Sequence, residues 1–169
     1  MRIRRATIDD VAALSTFGRR VFAATFGADN TPADLEAYLE QTYVEPRQRE
    51  EIADPGIETL LAEADGALAA FAQLRDGPAG NGVIGSEPIE LWRFYVDPTW
   101  HGRGLAPTLM GAAEDAAKAR GARTMWLGVW ERNRRAQAFY HKQGFTIVGT
   151  QVFQLGSDPQ RDLIMAKAI

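Results

Sequence analysis

The chain contains no cysteine, so it can build neither a disulfide framework nor a thiolate metal site. Its two histidines, His101 and His141, stand far apart and share no ligand spacing that suits zinc, so no metal is expected. No Gly-Lys pair occurs anywhere, which removes the P-loop. No segment approaches the roughly 18 apolar residues of a membrane span, and the first twenty residues are charged and amphipathic. A cytoplasmic protein without a membrane partner is the resulting expectation. Internal repeats, heptads and low-complexity tracts are also missing. What remains is 169 residues, enough for one domain spanning 1–169 that buries about two-thirds of its unfolded surface.

The net charge of −3 hides an asymmetry. Between Asp29 and Glu58, nine acidic residues face only Arg47 and Arg49, a balance of −7. Between Arg93 and Lys142, nine basic residues face Asp97, Glu114, Asp115 and Glu131, a balance of +5. A basic half suits a phosphate-rich cofactor and an acidic half suits a cationic acceptor, although solvated helix faces would look the same. An acidic pI of about 5.4 argues against nucleic acid as a partner.

Local signals order the chain. Met1 to Arg5 reads as a strand, and Asp9 and Asp10 open a helix with Val11, Leu14, Val21 and Phe22 inward. Thr31 and Pro32 read as N-cap and first residue of a second helix whose face is Leu35, Tyr38, Leu39 and Thr42. Pro46 and Pro55 punctuate the stretch between that helix and the next strand. Asp65-Gly66 predicts a hairpin between 58–64 and 67–75. Asp76 to Pro88, with four glycines and two prolines, reads as a mobile loop. Strands are expected at 90–96 and 124–130, parallel where a helix joins them. That helix has Leu105, Leu109, Ala112 and Ala116 on one face and a C-cap at Gly121. A last helix runs from an N-cap at Asn133 to Gly144, and strands 145–153 and 161–167 close the chain around a turn at 156–159. The fold class is α/β: one mixed domain on a twisted, mostly antiparallel sheet.

The stretch from Glu90 to Ala117 carries the chemistry. An aromatic strand E-L-W-R-F-Y-V breaks at D-P, turns through H-G-R-G-L-A and enters a helix. A helix start offers backbone N–H groups without internal partners and a partial positive charge. Gly102 and Gly104 let an anion approach the main chain closely. The dinucleotide fingerprint fails at its third glycine, and a plain strand-to-helix turn would also use two glycines. Pro107 removes one donor but is tolerated in a first helical turn.

Together with the next forty residues, this stretch resembles the cofactor core of the GNAT acyltransferase superfamily. The signature Q/R-x-x-G-x-G/A corresponds to His101, Gly104 and Ala106, with His at the position usually held by Gln or Arg. The pattern N-x-x-A-x-x-F-Y-x-x-x-G-F corresponds to Asn133, Ala136, Phe139, Tyr140, Gly144 and Phe145. The strings W-L-G-V-W-E, D-L-I-M and T-F-G-A-D-N-T-P resemble more narrowly the PaiA-type polyamine acetyltransferases.

The resemblance implies helices on both faces of the sheet and a parallel strand pair that splays to hold the pantetheine arm of acetyl-CoA. Main-chain groups of Phe94, Tyr95 and Val96 are then expected along that arm. Gly102, Arg103, Gly104, Leu105 and Ala106 are expected at the pyrophosphate, with Asn133 near the pantetheine and Lys142 near a phosphate or in water. Acyl transfer to an amine needs a proton acceptor, an oxyanion donor and help for the leaving thiolate. Glu90, opening the strand beside the cofactor, is the candidate base, an amide of Tyr95 or Val96 the oxyanion donor, and Tyr140 the family's leaving-group acid. The tryptophans Trp92, Trp126 and Trp130 are expected to pack. The expected partners are acetyl-CoA and a small amine, a polyamine such as spermidine or spermine favoured. A protein N-terminus, a lysine or an aminoglycoside remains open as acceptor, as do a non-catalytic CoA-binding module and a homodimer.

Overall fold

Residues 1–169 are described by a computed structural model. Strand β1 (Arg2–Arg5) pairs antiparallel with β2 (Ile57–Ala64), and β2 with β3 (Ala67–Arg75). The hairpin turn at Asp65-Gly66 takes φ of 51° and 78°, the left-handed pair that matches the strand twist. Next come β4 (Pro88–Val96), β5 (Thr124–Trp130), β6 (Thr146–Leu155) and β7 (Asp158–Ala168). The seven strands form one sheet in the order β1-β2-β3-β4-β5-β7-β6, antiparallel except for β4 beside β5.

That parallel contact is shorter than expected. Only Pro88–Glu90 pairs with Thr124–Trp126, and beyond it the strands part. The register of β3 against β4 shifts between Gln73 and Leu74, so Trp92 is an extra, unpaired residue. A bulge bends its strand, and this one lies where β4 leaves β5.

Helices α1 (Val11–Phe26), α2 (Pro32–Thr42) and α3 (Glu45–Ala53) cover one face of the sheet; α4 (Leu105–Ala119) and α5 (Arg134–Lys142) cover the other. Val11, Leu14, Val21 and Phe22 are buried as the spacing predicts. The Thr31 hydroxyl caps α2, accepting from the Asp34 N–H at 3.2 Å. Helix α3 was not anticipated: Pro46, read as punctuation, sits in its first turn, where a missing N–H costs nothing.

On α4 the buried line is Leu105, Leu109, Met110, Ala113 and Ala117, with Ala112 and Ala116 only half-buried. The face is turned by one residue from the predicted one because Met110 also packs inward. Helix α5 ends in a Schellman motif, Phe145 N–H to Tyr140 carbonyl at 3.0 Å and Gly144 N–H to His141 carbonyl at 3.0 Å.

One loop gains contacts and the final turn shortens. Segment 76–88 lies against the sheet: a Cβ at Gly80 would meet the Trp126 ring at 2.7 Å, and one at Gly82 the Val148 carbonyl oxygen at 2.1 Å. Its glycines permit close approach, which is the alternative meaning of a glycine-rich stretch. The final turn is only Gly156-Ser157, and Pro159 lies inside β7 where that strand has β6 as its sole neighbour. Asp34 holds this turn, accepting from the Ser157 N–H at 2.6 Å.

Candidate active site

The parting of β4 from β5 opens a cavity of about 950 Å³ that reaches both faces of the sheet. Which main-chain groups line the gap is decided by one bond: the Asp97 N–H donates to the Ala69 carbonyl at 2.9 Å. In an antiparallel ladder, alternate residues turn their main chain to the same side. Asp97, Tyr95 and Arg93 therefore face β3, while Phe94 and Val96 face the gap. The backbone of Tyr95, expected along a ligand arm, is committed to the sheet. The aromatic ring of Tyr95 still lines the cavity.

At the mouth of the gap, Gly102 and Gly104 take φ of 75° and 81°, and nothing lies within 4 Å of a Cβ added to either. The N–H groups of Gly102, Gly104, Leu105 and Ala106 make no bond within the chain, whereas that of Arg103 reaches the Trp100 carbonyl at 3.3 Å. This is a concave set of donors at a helix start, fitted to an anion. Arg103, Arg135 and Lys142 stand nearby without an ion-pair partner in the chain. Arg135 was not singled out from sequence; among four arginines and lysines in one short segment, only the fold tells which reaches the mouth.

His101 has a different role from a phosphate ligand. Its Nε2–H donates to the Val96 carbonyl at 3.1 Å, fixing the end of β4 and leaving the Val96 N–H as that residue's open group. Burial and the nearby Arg135 lower its pKa from the ordinary histidine value, which keeps the ring neutral.

Tyr140 reaches the cavity from the α5 side, packed edge-on against Phe94, Phe139 and Phe145. Burial alone raises its pKa above the tyrosine norm, so the hydroxyl holds its proton. Asn133 caps α5, its Oδ1 accepting from the Ala136 N–H at 3.1 Å, and also lines the cavity.

Glu90 enters from the opposite face at the closed end of the gap. Arg75 donates to its Oε2 from Nη2 at 2.6 Å and Nε at 3.0 Å, while Trp92 is stacked between the Arg75 and Arg93 guanidiniums at 4.1 and 3.9 Å. Burial raises the Glu90 pKa, opposed by Arg75 and Arg93. Behind it, Arg93 is buried on Glu51 at 2.5 Å and Gln73 at 2.7 Å.

The acidic segment 29–58, whose charge suits a cationic acceptor, contributes only Tyr38 to the cavity. Its carboxylates serve the fold: Glu36 and Glu40 pair with Arg19, Glu51 with Arg93, and Glu58 with Arg5. The walls on this face are instead Phe22, Phe26, Tyr38, Trp130 and Phe153, and the second carboxylate is Asp162 on β7. Trp130 is thus a wall residue as well as a packing one. Sequence spacing had no means of finding Asp162, because what buries it comes from β5 and β6.

No group of three or more His, Asp or Glu is placed to hold a metal, and no helix is long and apolar enough to cross a membrane. Residues 19–145, which include the turn, the gap strands and α5, match the family described as Acetyltransferase (GNAT) family.

The chain belongs to the GNAT acetyltransferase family.

An N-acetyltransferase of the pepI 3′ region of Lactobacillus delbrueckii subsp. lactis is 34% identical over 169 residues, covering 100% of this chain and 98% of that protein. A spermidine N(1)-acetyltransferase of Thermoplasma acidophilum is 26% identical over 162 residues, 94% of this chain and 93% of the other. The crystal structure of the PaiA N-acetyltransferase of Thermoplasma acidophilum in complex with coenzyme A superimposes with a TM-score of 0.82 at 27% identity, covering 99% of this chain and 98% of that one. This GNAT protein is accordingly an acetyl-CoA-dependent N-acetyltransferase, and the splayed strands and free amide cluster suit that cosubstrate.

Proposed function

We propose that this acetyltransferase acts on a primary amine of a small cationic acceptor, with polyamines such as spermidine or spermine the favoured class. One observation carries the reading: opposite Tyr140, an aromatic enclosure holds two carboxylates, Glu90 and Asp162. Aromatic faces and carboxylates together favour an aliphatic ammonium. The likeness to a spermidine N(1)-acetyltransferase and to PaiA supports the same acceptor class.

Acetyl-CoA brings the acyl thioester. The open groups of Phe94 and Val96 pair with its arm as a strand would; Val96, six residues and roughly 20 Å along β4 from Glu90, is too far from the reacting end to serve the developing oxyanion, and the unpaired bulge at Trp92 lies nearer it. The N–H groups of Gly102, Gly104, Leu105 and Ala106 hold the pyrophosphate, with Arg103 and Lys142 contributing charge and Asn133 a side-chain amide.

Glu90 takes the proton that the acceptor ammonium must lose before its nitrogen can attack. As the new C–N bond forms and the C–S bond breaks, the nitrogen releases its second proton to solvent and Tyr140 donates a hydrogen bond to the departing sulfur. Its raised pKa makes complete proton transfer to a thiolate, whose thiol pKa is about 8.5, unfavourable; solvent finishes that step. Thiol release from acetyl-CoA, screened against polyamines, lysine peptides and aminoglycosides, tests the reading. Saturable turnover with a polyamine supports it, and turnover confined to peptides or aminoglycosides reassigns the acceptor.

A further inference from the structure

Asp162 is the one carboxylate of the cavity that has no cationic partner in the chain. It lies on β7 opposite Trp130 of β5 and Gln151 of β6, and is only 8% exposed. Its neighbour Arg161 is paired with Glu131 at 3.6 Å, and Arg75 is engaged by Glu90. The polar side chain beside Asp162 is Gln151, which shares with it the space over Gly128.

The sheet makes room for this pair. A Cβ at Gly128 would stand 2.5 Å from the Gln151 Nε2 and 3.2 Å from the Asp162 Oδ2, so any side chain there would displace them. Phe26 and Trp130, edge to face at 6.1 Å, and Phe153 wall the same space. A buried carboxylate without a counter-charge is costly to the fold, and a ligand that carries a cation to it relieves that cost.

The register gives the spacing. Glu90 pairs with Trp126, and Gly128, whose Cβ position the Asp162 carboxylate approaches, lies two residues further along β5, roughly 8 Å from Glu90 by strand rise and strand spacing.

The geometry points to Asp162, seated over Gly128 beside Gln151, as the site for a second ammonium of the acceptor while the reacting nitrogen lies at Glu90. This rests on the cationic-amine reading and narrows it: the enzyme selects di- and polyamines over monoamines of equal length.

The test is steady-state kinetics of the wild-type enzyme and Asp162→Asn with spermidine, putrescine and n-butylamine, at saturating acetyl-CoA, together with the KM for acetyl-CoA and a thermal melt. The expected result is a KM for spermidine and putrescine raised ~10- to 100-fold in the variant, the scale of losing one desolvated charge pair. The KM for n-butylamine and for acetyl-CoA should stay within about twofold, since neither uses this contact. An equal loss for all three amines, or a fall in kcat with every KM unchanged, overturns the assignment by moving Asp162 to the reacting centre. Unchanged spermidine kinetics overturns it while leaving the cationic acceptor standing. Absence of wild-type turnover with any polyamine overturns both.

Discussion

Arg75 places both of its hydrogen bonds on one oxygen of Glu90, Oε2, and leaves Oε1 without a protein partner. The carboxylate is thus anchored and still able to accept a proton. Burial lifts its pKa, so the accepting form is lost earlier on acidification than for an exposed glutamate. Glu90→Gln should lower kcat/KM by about 100- to 10,000-fold. In the wild type kcat/KM should rise with pH through the raised pKa, and pH profiles of the two proteins should show that limb flattened in the variant.

Tyr140→Phe keeps the ring among Phe94, Phe139 and Phe145, so melting temperature and CoA affinity should hold. Loss of one hydrogen bond to a charged sulfur, worth about 1.5–3 kcal/mol, should lower kcat ~10- to 100-fold. Single-turnover thiol release measures this directly.

Gly104→Ala tests the amide turn. With φ at 81° an alanine is strained by about 1–2 kcal/mol, though nothing obstructs its Cβ. The KM for acetyl-CoA should rise while the amine KM at saturating cosubstrate stays, as initial-rate kinetics would show.

Arg93→Met leaves buried Glu51 with only the half-exposed Arg47 as counter-charge and should destabilise the protein by about 3 kcal/mol, the lower end for a broken buried pair. Adding Glu51→Gln should recover most of that loss, an outcome readable from denaturant melts of the single and double variants.

Asp162 has its pKa raised by burial to about 6. A carboxyl whose folded pKa exceeds its unfolded value loses stability as pH rises from about 4 to 6, because the folded form holds the extra proton. Asp162→Asn should therefore raise Tm at pH 7.5 by about 3–6 °C, allowing for partial solvation. The gain should vanish near pH 3.5, and melts at the two pH values decide it.

Much of this architecture was readable from local chemistry. Asp65-Gly66, Thr31-Pro32, Asn133 and Gly144 each act within four residues of themselves, and each stands where its residue type requires. Pro46 misled because the same residue both breaks helices and begins them. The glycines of 76–88 marked a loop, but a missing side chain serves mobility and close contact alike, and the contacts with Trp126 and Val148 are visible only in the fold. Tyr95 and Val96 looked equivalent until the pairing of Asp97 with Ala69 set the alternation. Asp162 and Gly128 sit in the strings D-L-I-M and W-L-G-V-W-E, which resembled one narrow group of proteins; their contact across β5 and β7 exists only in the folded sheet.

The three-residue seam between β4 and β5 also bears on the end of the reaction. Substrate and product share the arm that fills the opening, since transfer removes only the acetyl group. In the proposed binding mode, backbone pairing along Phe94 and Val96 holds incoming acetyl-CoA and outgoing CoA alike, and cannot tell one from the other. Any preference between them has to arise at the closed end beside Glu90, where the acyl group is the sole difference, and escape of CoA means unzipping what amounts to a borrowed strand.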